Sequence, residues 1–326
     1  MPEVSVIVPF YKVAPFMGRC AEALMGQTLS DVEFLFVDDA SPDDSRRILE
    51  EVLAAHPDRN ARILTHPVNR GLPAARNTGL AAATGKYICH IDSDDFPEPD
   101  MLEKLFRAAE SAGADIAYCD FYLTFEKGER YLSNPSFTRA EDLLKEGFLS
   151  GRCKYNVWNK LILRDLYTRT GIRFPEGHAM GEDMTVIRLC LQAATCVHVP
   201  EALYHYVKLN AGAMSQTLTP PQQEDIRFNA AGTIAALESA GLPDSGRFID
   251  FFKLSLKLPL LFSGDAALMR QWSAWWPEAD RSIADNQYLP ARTRRVMLWA
   301  SRGRFCRVRA YVRLVGLFYR IGFRKR

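Results

Sequence analysis

The sequence lacks both glycine-rich signatures with which many proteins bind phosphate groups through backbone amides. Its first predicted strand-to-helix turn, at residues 9–15, reads PFYKVAP and contains no glycine. A dinucleotide pyrophosphate therefore cannot approach the backbone there as it does in G-x-G-x-x-G. No G-x-x-x-x-G-K-[ST] occurs either, which excludes a P-loop. If the protein binds a diphosphate, a metal ion rather than backbone amides must hold it.

Long apolar runs and zinc-type histidine spacings are also absent. No apolar stretch reaches the ~18–20 residues that span a bilayer. Residues 1–3 lead directly into an apolar segment, so we expect no signal peptide. No H-x-x-x-H or H-E-x-x-H occurs, which disfavours a zinc site. The seven cysteines are odd in number and dispersed, which indicates reduced thiols and a cytoplasmic protein.

What is present, over residues 1–120, is an alternation of short apolar runs with helical patterns. This order predicts an α/β fold with a mostly parallel sheet flanked by helices, in which ligands bind at the carboxyl ends of the strands. The predicted strands are 4–9, 33–37, 62–65, 87–91 and 115–119. The predicted helices are 15–27, 41–56, 72–83 and 100–112, the second with Pro42 in its first turn.

The run KYICHIDSDD at residues 86–95 leads the fourth predicted strand into three carboxylates. Asp92 and Asp94 point to the same side of an extended backbone. Three acids within four positions repel one another unless a cation neutralises them. Converging carboxylate oxygens suit Mg²⁺ or Mn²⁺, especially when phosphate oxygens complete the shell. The alternative is a solvated acidic turn, because Asp is common in turns.

Five motifs in this chain resemble those of family 2 glycosyltransferases with the GT-A fold. They are VSVIVPFY at 4–11, VDDASPDD at 37–44, NRGLPAARNTGL at 69–80, HIDSDDF at 90–96 and GED at 181–183. The similarity covers residues 3–120 and continues more loosely to about residue 210. It implies inverting transfer of a sugar from a nucleotide diphosphate donor, most often a UDP-sugar, with Mn²⁺ or Mg²⁺ as cofactor. Lys12 departs from the family pattern, which often has Asn there.

The resemblance also assigns residues to the donor nucleotide. They are Pro9, Tyr11, Asp38, Asp39, Arg76 and Asp92. Tyr11 would flank the base and Asp39 would accept a hydrogen bond from it, with Asp38 shaping the turn. Each role has an alternative: Tyr11 packs on the first helix as a rim aromatic, Asp39 caps the following helix, and Arg76 forms a structural salt bridge.

The same resemblance implies the metal site and the catalytic base. Asp92 would contact the ribose and share the metal with Asp94, while Asp183 would deprotonate the attacking hydroxyl with support from Glu182. One acid at this position needs no functional explanation, since acids favour the first turn of a helix. The Q-x-x-R-W sequence of processive synthases is absent. We therefore expect a single-addition enzyme that acts on a saccharide or lipid-linked acceptor in bacterial surface polysaccharide or glycolipid synthesis.

We predict a catalytic domain at residues 1–215 and a helical region at 216–326. Within the catalytic domain, residues 1–120 would form the nucleotide-sugar half and residues 121–215 the acceptor half. Two side chains of the acceptor half leave alternatives open. Trp158 either stacks on a sugar or belongs to the core, and His205 either approaches the metal or diphosphate or packs within a strand.

The net charge of +2 hides an excess of cations at the C-terminal end. No acid follows Asp285 but twelve Lys and Arg do, so residues 1–285 carry −10. On a helical wheel one stripe is formed by Arg302, Arg309, Arg313, Arg320 and Arg324. Most of the remaining helix surface is apolar. This pattern predicts that residues 290–326 end in a helix that lies on an anionic membrane surface. The enzyme would then be peripheral at the inner face of the cell membrane. The alternative is a packed helix with a solvated basic face. No motif indicates nucleic-acid binding.

Two other classes of protein use similar residues. A metal-dependent phosphotransferase or phosphatase would employ the same acids, but haloacid dehalogenase-type phosphatases place D-x-D after the first strand rather than the fourth. A non-catalytic scaffold that binds nucleotide sugars is the second alternative. The joint presence of Asp39, Asp92, Asp94 and Asp183 disfavours it.

Overall fold

A computed structural model of the protein describes residues 1–210 and 218–322, with side chains described up to residue 315. The chain divides into two compact units. Unit 1 comprises residues 1–144 and 154–236, and unit 2 comprises residues 145–153 and the chain from residue 237 onward. This division falls inside a helix, whereas the boundary predicted from the sequence lies at residue 215 and stays a prediction.

Unit 1 is built on one mixed sheet. Its strands are β1 (Val4–Phe10), β2 (Val32–Asp38), β3 (Asn60–Thr65), β4 (Tyr87–His90), β5 (Phe96–Pro97), β6 (Ile116–Phe125), β7 (Gly128–Leu132), β8 (Lys160–Leu163) and β9 (Cys196–Val207). They pair in the order β3-β2-β1-β4-β8-β6-β9-β5, and β7 pairs with β6. The predicted α/β fold with flanking helices is confirmed.

The parallel part of the sheet consists of β3, β2, β1 and β4. Every residue of β1 and β2 is buried, because helices cover both faces of parallel strands, and this explains why most of their residues are apolar. The other half is mixed: β8 runs antiparallel to β4 and β6, whereas β9 runs parallel to β6. The mostly parallel arrangement therefore holds for the first four strands only. The fifth predicted strand, 115–119, is also too short, because β6 continues to Phe125 while paired with β7 and β9.

The helices of unit 1 connect these strands. They are α1 (Ala14–Met25), α2 (Ser45–Ala55), α3 (Leu72–Ala82), α4 (Met101–Ala112), α5 (Ala140–Asp142, continued by a π-helix at Leu143–Leu149), α6 (Arg164–Thr170), α7 (Thr185–Cys190, after a 3₁₀ turn at Glu182–Met184) and α8 (Pro220–Ser239). The π-helix and α8 each run across a boundary between the two units.

The predicted start of α2 at residues 41–42 is wrong, because the chain forms a turn there before the helix begins at Ser45. Asp43 organises this turn: its Oδ1 accepts from Ser41 Oγ at 2.6 Å and from Ser45 Oγ at 2.6 Å. Its Oδ2 accepts from Ala14 N at 3.0 Å, which ties the turn to the start of α1. Ala40, directly before this turn, has φ +57°, a left-handed conformation that is uncommon for residues other than glycine.

Unit 2 is helical, as the predicted C-terminal appendage requires. Its helices are α9 (Ser245–Phe262), α10 (Ala266–Ala274), a 3₁₀ turn (Pro277–Ser282), α11 (Ala291–Ser301) and α12 (Phe305–Gly322). Gly303, with φ +69°, ends α11, so Arg302 lies before α12 and does not belong to its stripe, contrary to the helical-wheel prediction. Arg320 and Arg324 lie outside the residues whose side chains are described. No helix in the described residues combines the length and apolarity needed to cross a membrane.

Candidate active site

The loops that follow β1 and β2 are hydrogen-bonded to each other. Lys12 N donates to Ser41 Oγ at 2.9 Å, and Ser41 N donates to Asp38 Oδ1 at 2.8 Å. Tyr11 lies in the first loop and is 39% exposed, whereas Pro9 is buried within β1. The structure thus presents Tyr11 at the carboxyl edge of the parallel strands and uses Asp38 to shape the turn. Contact of these residues with a nucleotide stays a prediction.

Asp39 is buried and organises the turn before α3. Its Oδ1 accepts from His66 Nδ1 at 2.6 Å and from Arg70 N at 2.8 Å, and its Oδ2 accepts from Gly71 N at 2.8 Å. Gly71 has φ +86°, a conformation that favours glycine. Asp39 therefore joins the end of β2 to the NRG motif. The predicted hydrogen bond from a nucleobase to Asp39 would use carboxylate lone pairs that these three hydrogen bonds leave free.

Residues 92–95, here called the first acidic loop, are held by β9. Tyr204 O–H donates to Asp95 Oδ2 at 2.8 Å, and Val207 N donates to Asp95 Oδ1 at 2.7 Å. Asp92 N donates in turn to the Tyr204 hydroxyl at 3.3 Å. Asp95 and Tyr204 are both fully buried. No local pattern in the sequence marks Tyr204, because its partner Asp95 lies 109 residues away.

The predicted metal ligands Asp92 and Asp94 lie on this loop, and both are partly exposed. Asn210 Nδ2 donates to Asp94 Oδ2 at 2.9 Å. Two neighbouring carboxylates are suitable ligands for Mg²⁺ or Mn²⁺. However, the described residues contain no group of three or more His, Cys, Asp or Glu side chains that could hold a metal ion. The donor set fits a divalent ion only if other oxygens, such as those of a diphosphate, supply the remaining ligands.

Arg76 lies on α3, and its side chain contacts predicted acids from two places in the chain, the loop after β4 and residues 182–183. Its side chain is buried, and its Nη2 lies 2.9 Å from Asp92 Oδ1 and 3.6 Å from Glu182 Oε1. Its Nη1 lies 3.5 Å from Asp183 Oδ1. The ring of Phe174 lies 5.4 Å from the guanidinium carbon. The structural salt bridge considered for Arg76 is therefore present, and it brings together acids that are about 90 positions apart in the sequence.

The acids around Arg76 have raised pKa values. Burial raises the pKa of Asp92 to about 7, with Arg76 opposing the shift and Asp94 and Asp183 adding to it. Burial and the neighbouring Asp183 raise the pKa of Glu182 to about 8, again against the opposing charge of Arg76. Burial also raises the pKa of Asp183, and Arg76 limits that rise. A carboxylate with a raised pKa is a stronger proton acceptor once it is ionised.

Residues 178–183, here called the second acidic loop, carry Glu182 and Asp183 and are held by α8. Asp225 Oδ2 accepts from Met180 N at 3.3 Å, and Asn229 Nδ2 donates to Met180 O at 3.0 Å. Gly181 has φ +88°, and a Cβ there would lie 3.1 Å from the Met184 methyl carbon. Asp225 and Asn229 were not predicted. Their spacing of four places them on one face of a helix, but polar residues are common on such faces.

The second half of the segment KYNVWNK at residues 154–160, from Val157 onward, packs as part of the core. Trp158 is 3% exposed and stacks on Tyr204 with ring centroids 4.4 Å apart, so it belongs to the core rather than to an exposed sugar site. Lys160 Nζ donates to the carbonyl oxygens of Lys154 at 2.9 Å and Asn156 at 2.7 Å. The Lys160 charge also opposes the rise in the pKa of Asp183.

His205 is likewise packed within its strand. Its Nε2 lies 2.8 Å from Glu98 Oε1, and its Nδ1 lies 2.7 Å from Glu129 Oε1. Its ring stacks on Phe96 with centroids 4.2 Å apart. Of the two roles considered for His205, the structure supports packing within β9.

The arginines at the start of α12 are exposed. Arg307, Arg309 and Arg313 point to solvent, and none of them forms an ion pair with an acid in the described part of the chain. Leu314 is 53% exposed, whereas Val308 is buried. This segment therefore presents cations together with an exposed apolar side chain.

A family model matches this chain, and several known proteins are similar to it. The model for glycosyl transferase family 2 matches residues 5–182. EpsJ, an uncharacterized glycosyltransferase of Bacillus subtilis, is 32% identical over 278 residues, covering 82% of this chain and 79% of EpsJ. The succinoglycan biosynthesis protein ExoO of Rhizobium meliloti is 30% identical over 227 residues, covering 67% of this chain and 64% of ExoO. The crystal structure of TarS residues 1–349 from S. aureus with UDP-GlcNAc superposes with a TM-score of 0.70 at 20% identity, covering 99% of this chain and 92% of that one. The TarS likeness shows the fold.

Proposed function

Because the chain belongs to glycosyl transferase family 2, has the GT-A fold and is a glycosyltransferase, we propose that it transfers a sugar from a UDP-sugar to a saccharide or lipid-linked acceptor with inversion. The observation that carries this proposal is the position of Arg76, whose guanidinium contacts acids of both acidic loops. One buried cation thus brings the predicted donor side and the predicted base side into a single site.

The donor would bind across the carboxyl ends of β1, β2 and β4. Tyr11 offers an exposed ring to the base, Asp39 lies at the end of β2, and Asp92 lies where the ribose would reach the first acidic loop. The similarity to TarS, whose structure contains UDP-GlcNAc, supports a nucleotide-sugar donor. The name of ExoO supports a role in polysaccharide synthesis.

Asp92 and Asp94 would hold Mn²⁺ or Mg²⁺. Such an ion, when bound, neutralises the negative charge of the diphosphate leaving group. The side chains of the chain itself have complementary tasks. Arg76 keeps the Asp92 carboxylate oriented through the 2.9 Å contact, and Asp95 and Tyr204 fix the loop that carries both ligands.

Asp183 would act as the general base. Inverting transfer needs a group that accepts the proton of the acceptor hydroxyl as that oxygen attacks the anomeric carbon from the face opposite the leaving group. The Asp183 side chain is a quarter exposed, so an acceptor can reach it, whereas the Glu182 side chain is only 11% exposed. Arg76 holds the Asp183 carboxylate in place. Glu182 would support Asp183 or bind the acceptor.

The metal and donor parts of the proposal can be tested together by calorimetric titration of UDP into the full chain. We expect binding in the presence of Mn²⁺, and loss of binding both in EDTA and in Asp94→Ala. Glu98→Gln is a suitable control, because Glu98 is paired with His205 in the packed β9 and has no proposed role in binding. Tight UDP binding in EDTA that Asp94→Ala leaves unchanged would contradict the proposal.

We further propose that the C-terminal region holds the enzyme at the inner face of the cell membrane. Exposed arginines without acidic partners among the described residues would attract anionic lipid headgroups, at about 1 kcal/mol for each cation near the surface. This attraction should weaken with salt, because exposed charges are screened over ~8 Å at physiological ionic strength.

Co-sedimentation with anionic and neutral vesicles provides the test. The full chain should bind anionic vesicles, and replacement of Arg307, Arg309 and Arg313 by Gln should weaken that binding. Equal partitioning of the two proteins, or no binding by either, would show that α12 does not act at a membrane. The acceptor then need not be lipid-linked.

A further inference from the structure

Two aromatic rings lie stacked at the surface, one from the second acidic loop and one from α8. The rings of His178 and Phe228 have centroids 3.7 Å apart and planes inclined by 15°. Phe228 is 53% exposed, and a third of the His178 side chain is exposed. Isolated apolar residues are common on protein surfaces. Phe228 differs from such isolated residues in two ways. Its ring is stacked on a second ring, and that second ring belongs to the loop that carries the predicted catalytic acids.

The orientation of His178 is fixed by α8. Its Nδ1 donates to Asp225 Oδ1 at 3.0 Å, since a carboxylate can only accept. Its backbone carbonyl accepts from Asn229 Nδ2 at 3.2 Å. In the neutral ring with its proton on Nδ1, the Nε2 atom is an acceptor, and it forms no hydrogen bond to any other residue that the structure describes. The stack therefore combines an exposed ring face with one available polar atom.

The stack is also close in the chain to the predicted base. His178 precedes Asp183 by five residues on the same loop. Gly181, between them, packs against α8, where a Cβ would lie 3.7 Å from Asn229 Cβ. Because α8 holds both the rings and the intervening backbone, a ligand resting on the rings would lie on the base side of the site.

We propose that the His178–Phe228 stack is an acceptor subsite that binds a pyranose ring. The C–H groups of a sugar face carry partial positive charge and pack against the negative face of an aromatic ring. A sugar hydroxyl donates to His178 Nε2. Small-molecule sites commonly combine aromatic walls with a few placed polar groups. The inference rests on the proposed function and sharpens it, because it makes the acceptor a saccharide at the point of contact.

Nuclear magnetic resonance of the full chain with methyl glycosides of glucose, galactose, mannose and N-acetylglucosamine tests the proposal. At least one glycoside should receive saturation from the protein on its ring C–H protons and should shift the His178 ring signals, which His178→Gln identifies. Phe228→Ala should weaken this binding on the order of tenfold, while Phe228→Tyr, which keeps the ring, should retain it. Phe125→Ala removes a ring of similar exposure (47% against 53%) from the end of β6 and should have no effect.

Two further measurements, of thermal stability and of UDP affinity, complete the test. Phe228→Ala should leave the thermal unfolding midpoint and the affinity for UDP with Mn²⁺ close to wild type, because the ring is mostly exposed. Absence of glycoside binding to wild type, or equal binding to Phe228→Ala, would overturn the subsite. A wild-type protein that binds glycosides through Phe228 but shows no UDP binding would instead refute the proposed function and leave the sugar subsite standing.

Discussion

In unit 1, the first acidic loop is held by a strand and the second by a helix. Asp95, Tyr204 and Val207 join the first loop to β9 through buried hydrogen bonds. The second loop is joined to α8 through His178 and Asp225, whose side chains are 33% and 22% exposed, and through Asn229, which is buried. A loop that is held in part by exposed contacts opens locally at a lower free-energy cost than a loop held by buried contacts alone. The first loop should therefore share the global stability of the sheet, while the second can adjust to an acceptor.

Arg76 is the contact that the two loops share, so its replacement should have the largest effect. Arg76→Met leaves Asp92, Glu182 and Asp183 buried without their cation. We expect a loss of about 3–5 kcal/mol in the free energy of unfolding, measured with urea. The loss should grow as pH rises, because the Arg76 charge opposes the raised pKa values of all three acids, which ionise more fully at higher pH.

Arg76→Lys is the matched control, because it keeps a cation but not the planar fork. It should recover part of the stability. A loss for Arg76→Met that is the same at pH 5 and pH 9 would show that the ion pairs are not its source.

The next effect concerns the first loop alone. Asp95→Ala leaves the Tyr204 hydroxyl and Val207 N–H buried without an acceptor, and should cost about 2–4 kcal/mol of unfolding free energy. Tyr204→Phe removes only the hydroxyl that donates to Asp95 and leaves the bond from Val207 N in place. It should therefore lower the free energy of unfolding by less than Asp95→Ala. Hydrogen exchange of β9 amides should accelerate in Asp95→Ala. An unchanged exchange rate would show that the first loop is not coupled to the sheet.

Glu182 should make the second loop sensitive to pH. Its pKa is raised to about 8 from an ordinary 4.5, so its contribution to stability is present below pH 4.5 and is lost as pH rises through 8. Glu182→Gln cannot ionise and should be the more stable protein above pH 8, by on the order of 1–3 kcal/mol. Thermal unfolding of both proteins from pH 5 to pH 9 checks this. Parallel curves would contradict the raised pKa.

The smallest expected effect on stability is that of Asp225→Ala. This partly exposed carboxylate should contribute about 0.5–1 kcal/mol, well below Asp95. Its loss should instead raise the KM for the acceptor and leave UDP affinity unchanged, since it frees His178 and Met180 of the second loop. Asp225→Asn, which retains an acceptor oxygen, should behave more like wild type. A destabilisation as large as that of Asp95→Ala would remove the contrast between the loops.

The sequence predicts the first loop better than the second for a physical reason. Strands β1 to β4 alternate with helices over short distances, so periodicity finds them, and the acids that follow β4 mark the end of a strand. The contacts that complete the site are not local. Tyr204 reaches Asp95 across 109 residues, and Asp225 reaches His178 from a helix with no distinguishing motif. Likewise, the left-handed turn at Gly303, which separates Arg302 from α12, depends on backbone geometry that a helical wheel cannot represent.

The most direct test of the account is the rate of sugar transfer by Asp183→Asn in the donor and acceptor pair that supports wild-type turnover, together with its affinity for UDP in Mn²⁺. The amide keeps the shape of the side chain but cannot accept the acceptor proton. We predict that transfer falls by ~10²–10⁴ while UDP affinity stays near wild type. A variant that keeps most of its turnover would show that Asp183 is not the base, and Glu182 would then be the first residue to replace.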